Sequence, residues 1–249
     1  MIKTALIIVD VQYDFLPPHG SLAVPDGQAI LPVIQDLLDK TKWDWPVIIA
    51  SQDYHPSGHI SFASSHPPNE AFSKKTIRDA RGTEYEQTLW PDHCVQGTKG
   101  AEIDLSVRGA LEPWGETVKV VRKGTHLRLE AYSAFEGYIT EASDPAEPPD
   151  DHTSGKDEGP APATTELVRY LRSMEVEKVA IVGLATDFCV LQTALSALSA
   201  SFETTIIAPA VRGISEADAN EAFDKLMSLG GKIIGRQGTS WEQELRAWA

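Results

Sequence analysis

Basic side chains, cysteine and long apolar runs are all scarce in this sequence, and each shortage excludes something. Lys and Arg number 22 against 36 Asp and Glu, a formal net charge of −14 over 249 residues. Phosphate backbones are held by clustered Lys and Arg, so this balance argues against a nucleic-acid binder. No apolar run approaches the ~18 residues that a membrane-spanning helix needs. The start, Met1-Ile2-Lys3-Thr4, lacks the charged, apolar and cleavage regions of a signal peptide. With only Cys94 and Cys189 present, thiol chemistry or simple burial is expected ahead of a disulfide framework. A soluble, cytoplasmic protein is the expectation. No Gly-x-Gly-x-x-Gly follows the first apolar run, and Gly97-Thr98-Lys99-Gly100 lacks the Gly-Lys-Ser/Thr of a phosphate loop, which removes nucleotide-dependent chemistry. No internal repeat is visible.

What is present is a chain long enough for one large α/β domain, expected to span 1–249. Ala5-Leu6-Ile7-Ile8-Val9 and Val47-Ile48-Ile49-Ala50 are apolar throughout, as strands covered on both faces are. Val118–Val121, Val179–Val182, Thr204–Ala208 and Lys232–Ile234 repeat the pattern. Helical patterns fall at about 28–40, 165–174, 188–200 and 216–229. Alternating strands and helices predict a three-layer, Rossmann-like α/β sandwich of about six mostly parallel strands with helices on both faces. The amphipathic face of 216–229 suits either packing on the sheet or self-association into a homo-oligomer. From about 140 to 165 the chain is rich in Pro, Asp, Glu, Gly and Ser, which predicts a flexible acidic surface insertion. The stretch at about 53–115 is too long for a plain loop and is expected to carry function.

Parallel sheets bind ligands beyond the carboxyl ends of their strands. Asp10 follows the first apolar run, Asp53 the second and Lys123 the third, and Cys189 lies just past the fourth. An acid, a base and a thiol are thereby brought to one rim. Cys189 stands where a helix begins, and backbone N–H groups there favour a thiolate and lower its pKa. Alone it reads equally as a small buried hydrophobe, Lys123 as a solvated surface charge, and Asp10 as a helix cap. No helical pattern starts soon after Asp10, which weakens the cap. Asp53-Tyr54-His55 places two ligand types on one side of an extended chain, with His93 in Trp90-Pro91-Asp92-His93-Cys94, a set suited to Zn²⁺, Mn²⁺ or Fe²⁺. His19, His66 and His152 lie in polar or Pro-rich stretches and are expected to be exposed.

Four segments carry a more specific resemblance. Asp10-Val11-Gln12-Tyr13-Asp14-Phe15, Asp53-Tyr54-His55-Pro56 with His59-Ile60-Ser61-Phe62-Ala63, Trp90 to Thr98, and Gly183 to Val190 occur in this order. Together they resemble the nicotinamidase branch of the isochorismatase-like cysteine hydrolases over the whole chain except the acidic insertion. The resemblance implies a pyridine nucleotide salvage enzyme, hydrolysing nicotinamide to nicotinate and ammonia through a cysteine thioester with one divalent metal ion, zinc ahead of manganese or iron. It implies Asp10, Lys123 and Cys189 as catalytic triad and Asp53, His55 and His93 as metal ligands, with Glu130, seven residues past the lysine, as a further ligand. Phe15, Trp90 and Tyr132 become the ring pocket. The resemblance also implies a cis peptide between Leu184 and Ala185, which would turn the N–H groups of Ala185 and Cys189 toward an oxyanion. Tyr13 departs from the Asn of many members, at a side chain with no chemical task.

Two alternatives stay open on the sequence: a related amidohydrolase of carbamoyl or ureido substrates, which needs no metal, and a non-catalytic ligand-binding homologue. An isochorismate ether hydrolase is disfavoured by the thiol at position 189.

Overall fold

In the computed structural model, residues 2–140, 165–236 and 240–249 are described. The elements in chain order are β1 (Lys3–Val9), α1 (Leu31–Leu37), β2 (Val47–Asp53), β3 (Lys74–Arg78), β4 (Glu84–Thr88), α2 (Leu105–Leu111), β5 (Val118–Lys123) and β6 (Tyr138–Thr140). They continue as α3 (Glu166–Ser173), β7 (Val176–Leu184), α4 (Leu191–Ser199), β8 (Glu203–Arg212), α5 (Glu216–Ser228), β9 (Lys232–Ile234) and α6 (Trp241–Trp248). Among the described residues, seven strands form one sheet in the order β6-β5-β2-β1-β7-β8-β9. All its pairings are parallel save that of β5 with β6.

Side chains alternate across the sheet and separate its two cores, as the period of two demands. Ala5, Ile7 and Val9 join Val47, Ile49 and Ile181 beneath α3, α4 and α5. Leu6, Ile8, Ile48, Ala50 and Val182 face the other way, under α1, α2 and α6. Each large apolar side chain sequestered in this way contributes roughly 1.5–3 kcal/mol relative to exposure. Ala222 and Leu226 of α5 are buried within the first of these layers, so its apolar face packs on the sheet.

The sheet of about six mostly parallel strands expected from the sequence has seven among the described residues, the one without a sequence pattern being β6, a three-residue edge strand that pairs antiparallel through Val121 and Ile139. The region from 53 to 115 is not loop alone: it holds the β3–β4 hairpin and α2. The expected helix at 28–40 is shorter, a 3₁₀ turn at Gly27–Ile30 followed by α1. The acidic insertion falls almost wholly outside the described residues, as does His152. Among the described residues no helix is long and apolar enough to cross a membrane.

Strand order reverses beside β1: the chain moves outward through β2, β5 and β6, then returns to β7 on the opposite flank of β1. Such a reversal opens a crevice at the carboxyl ends of the central strands. Asp10, Asp53, Lys123 and Cys189 all sit on that rim.

Candidate active site and metal centre

Lys123 closes β5 with its side chain fully buried. Its Nζ lies 2.9 Å from Asp10 Oδ2 and 3.3 Å from Cys189 Sγ, and it also donates to Asp53 Oδ1. A buried ammonium is sustained only by such partners, and here the Asp10 and Asp53 carboxylates overcome burial and hold its pKa well above the ordinary lysine value. Asp10 leaves β1 in left-handed backbone (φ 49°), and its Oδ1 accepts from Ser51 Oγ at 2.6 Å. Burial and the neighbouring Asp53 raise its pKa to about 6 against the pull of Lys123.

Cys189 sits in a π-helical turn, Thr186–Val190, that leads into α4. The expected lowering of its pKa by the helix start does not hold. Burial, with Asp10 and Asp53 close by, outweighs Lys123 and pushes the thiol well above its usual value. At neutral pH the pair is therefore a thiol beside a carboxylate, ready for proton transfer at the moment of attack. The Leu184–Ala185 peptide is cis, and the Ala185 carbonyl accepts from the N–H groups of Phe188 and Val190, each at 3.1 Å.

Beside the triad, Asp53, His55 and His93 bring one ligand atom each within 4.8 Å of one another, all three buried. His55 Nδ1 lies 2.9 Å from the Gly124 carbonyl and His93 Nδ1 2.7 Å from the Pro91 carbonyl. A carbonyl only accepts, so both Nδ1 atoms carry a proton and both Nε2 atoms are turned toward the cluster. Against the effect of burial, Asp53 raises the pKa of His55, so its Nε2 holds a proton that a bound cation would displace. The two Nε2 atoms face Asp53 Oδ2 at 3.7 Å and 3.8 Å. Three ligand groups converging in a buried site, with the histidines oriented by backbone carbonyls, fit a divalent cation.

His59 is buried next to them, its ring 4.2 Å from that of His55, yet both its nitrogens are engaged. Nε2 donates to the Leu129 carbonyl (2.9 Å) and Nδ1 accepts from Ser61 Oγ (2.8 Å). Burial and the neighbouring His55 lower its pKa to about 4, so it stays neutral. Glu130 groups with His55 and His59 rather than with Asp53 and His93, and accepts from the Ala131 N–H at 2.8 Å. His19 is exposed as expected, but His66 is only partly so, because its Nε2 donates to the Ile60 carbonyl at 2.7 Å.

Phe15 packs on His93 with centroids 5.5 Å apart. Trp90 and Tyr132 are joined by an indole N–H donating to the phenol oxygen at 3.1 Å. Phe188, which sequence reasoning passed over, bridges them: its ring is edge-on to Trp90 at 4.9 Å and 6.0 Å from Tyr132. Its place next to the cysteine was the available signal. Tyr13 lies apart, its hydroxyl accepting from the Leu105 N–H at 3.1 Å.

An isochorismatase domain model matches residues 4–126 and 132–238. The chain belongs to the isochorismatase family. Among family members, the nicotinamidase of Acinetobacter baylyi is 38% identical over 228 residues, 91% of this chain and 89% of that protein. The crystal structure of the yeast nicotinamidase bound to the inhibitor nicotinaldehyde superposes with a TM-score of 0.78 at 31% identity, covering 92% of this chain and 98% of that one. A pyrazinamidase from Pyrococcus horikoshii, solved in complex with zinc, gives 0.66 at 33% identity, covering 93% and 98%.

Proposed function

We propose that this isochorismatase-family chain is a metal-dependent nicotinamidase that hydrolyses nicotinamide to nicotinate and ammonia by way of a Cys189 thioester, as a step in pyridine nucleotide salvage. One observation carries the reading: a buried Lys123 within 2.9 Å of Asp10 and 3.3 Å of Cys189, directly beside the Asp53–His55–His93 cluster. The similarity to nicotinamidases over most of the chain supports it.

Asp53, His55 and His93 would hold the cation, for which zinc is the first candidate, with manganese or iron as alternatives. When bound, it would supply Lewis acidity toward the pyridine nitrogen or a water. Phe15, Trp90, Tyr132 and Phe188 enclose the aromatic ring and set the carboxamide beside the thiol, which turns an encounter into a positioned attack. Asp10 accepts the Cys189 proton as sulfur bonds to the amide carbon, and Lys123 stabilises the anion on either partner. The N–H groups of Ala185 and Cys189 receive the oxyanion. The carbon–nitrogen bond then breaks, Asp10 returns its proton to the departing amine, and ammonia leaves a thioester. Water, giving a proton to Asp10, attacks that thioester. The carbon–sulfur bond breaks, Asp10 returns its proton to the sulfur to restore the thiol, and the acid formed gives up its own proton to water and departs as nicotinate.

The test is ammonia release from nicotinamide by metal-replete protein, by protein stripped with a chelator, and by stripped protein resupplied with Zn²⁺. Release that disappears on stripping and returns with zinc is expected. Release indifferent to metal, or none from nicotinamide in any state, refutes the reading.

A further inference from the structure

Three polar residues alternate along the chain that leaves β1: Asp10, Gln12 and Asp14. The chemistry above uses only the first. Gln12 is completely buried, and every strong bond its amide makes serves a backbone group. Nε2 donates to the Asp53 carbonyl at 2.8 Å and to the Ala101 carbonyl at 2.9 Å, while Oε1 accepts from the Asp53 N–H at 2.9 Å. The topology gives the reason. The pairing of β1 with β2 ends at Ile8–Ala50, whereas β2 runs on beside β5 to Asp53–Lys123. On the β1 side the Asp53 peptide groups therefore lack a strand partner, and the Gln12 side chain takes that place, fixing the backbone of one member of the metal-binding cluster on both its N–H and C=O.

Asp14 does the equivalent for the histidines. Its Oδ2 accepts from the Cys94 N–H at 2.7 Å, and Cys94 adopts left-handed backbone (φ 46°), a conformation that a non-glycine residue keeps only when its surroundings enforce it. Gly100 leaves the room this requires, since a Cβ there would overlap the Asp14 carboxylate. The anchored turn has His93 on one side. Through the Cys94 carbonyl, which accepts from the His55 N–H at 3.0 Å, and the Gln96 N–H, which donates to the His55 carbonyl at 2.8 Å, it also grips His55.

We infer that Gln12 and Asp14 are positioning residues of the metal centre: Gln12 sets Asp53, and Asp14 sets the Cys94 turn and with it His93 and His55. One loop thus delivers the triad's carboxylate and aligns all three residues of the neighbouring cluster. The inference rests on the metal-binding reading above, but concerns how firmly the ion is held rather than which amide is cleaved.

The test is metal affinity and coordination, measured without substrate. Zn²⁺ dissociation constants from competition with a chromophoric chelator, and visible spectra of the Co²⁺-substituted protein, are compared for wild type, Asp14→Ala, Asp14→Asn, Gln12→Met and His55→Ala, each checked for folding by circular dichroism. Loss of an orienting partner costs on the order of 10–100-fold in affinity, which is the weakening expected for Asp14→Ala and Gln12→Met, with altered Co²⁺ ligand-field bands. Asp14→Asn keeps an acceptor oxygen for Cys94 and is expected to lie within about threefold of wild type. Gln12 lies in the core, so the partly exposed Asp14 pair decides the matter if Gln12→Met does not fold. Wild-type affinity and spectrum in Asp14→Ala, with His55→Ala losing the ion, overturns the positioning role. Undiminished Zn²⁺ affinity in His55→Ala overturns instead the metal reading beneath it.

Discussion

The Lys123 ammonium lies 3.3 Å from Cys189 Sγ at a point where neither side chain has more than marginal contact with solvent. A charge in such a place is tolerated only because Asp10 and Asp53 flank it. Lys123→Met keeps most of the volume and removes the charge, leaving two buried carboxylates facing each other. Breaking a buried pair in this way costs roughly 3–5 kcal/mol, and loss of organised proton transfer lowers kcat by at least about 100-fold. Denaturant unfolding and steady-state ammonia release check both. A variant as stable and active as wild type would show that the ammonium does not organise the site.

Removing the nucleophile separates binding from chemistry. Cys189→Ala deletes one sulfur atom at a site where the aromatic walls and the metal cluster are untouched. Nicotinamide binding by calorimetry is expected to stay within about threefold of wild type while turnover falls to background, since no other group can form the covalent intermediate. Turnover above about one per cent of wild type would refute a thioester route.

The raised pKa of Asp10, about 6, sets a pH dependence whose sign is fixed by its role. As proton acceptor it must be a carboxylate, so kcat/KM falls as pH drops through that value, about tenfold per unit below it. A cation held at Asp53 adds positive charge nearby and moves the limb lower, never higher. The limb is expected at or below pH 6 in metal-replete enzyme. A limb centred above pH 7 would assign the titration to another group.

The central strands were legible because burial on both faces leaves no polar residue to blur them: Ala5–Val9 and Val47–Ala50 are apolar without a break. The β3–β4 hairpin was not, since Lys74–Arg78 and Glu84–Thr88 bury only Ile77 and Gln87 and so carry almost no hydrophobic signal. At the site, residues that end strands could be picked out by position, and the structure brings Asp10, Lys123 and Cys189 together, with Asp53, His55 and His93 alongside. Gln12 and Ser51 were passed over because their work is done through hydrogen bonds to groups distant in sequence, which no local pattern records. The direction of the Cys189 pKa was misread for the same reason. A helix start is visible in a sequence, whereas the burial and the two carboxylates that outweigh it are tertiary facts.

Gly124 follows Lys123 in left-handed backbone (φ 64°), and a Cβ there would overlap the His55 ring, whose Nδ1 donates to the Gly124 carbonyl. Gly124→Ala therefore combines backbone strain of about 1 kcal/mol with displacement of a metal-binding imidazole. Gly82 supplies the control: it shares a positive φ (84°) but has nothing within 4 Å of the added methyl. Both variants are expected to lose a similar amount of stability from strain, visible as a small fall in Tm. Only Gly124→Ala is expected to weaken Zn²⁺ binding, by about tenfold or more, because His55 can no longer aim its Nε2 at Asp53. Equal zinc affinity in the two variants would mean that the His55 ring has room to retreat, and that the glycine is there for the turn alone.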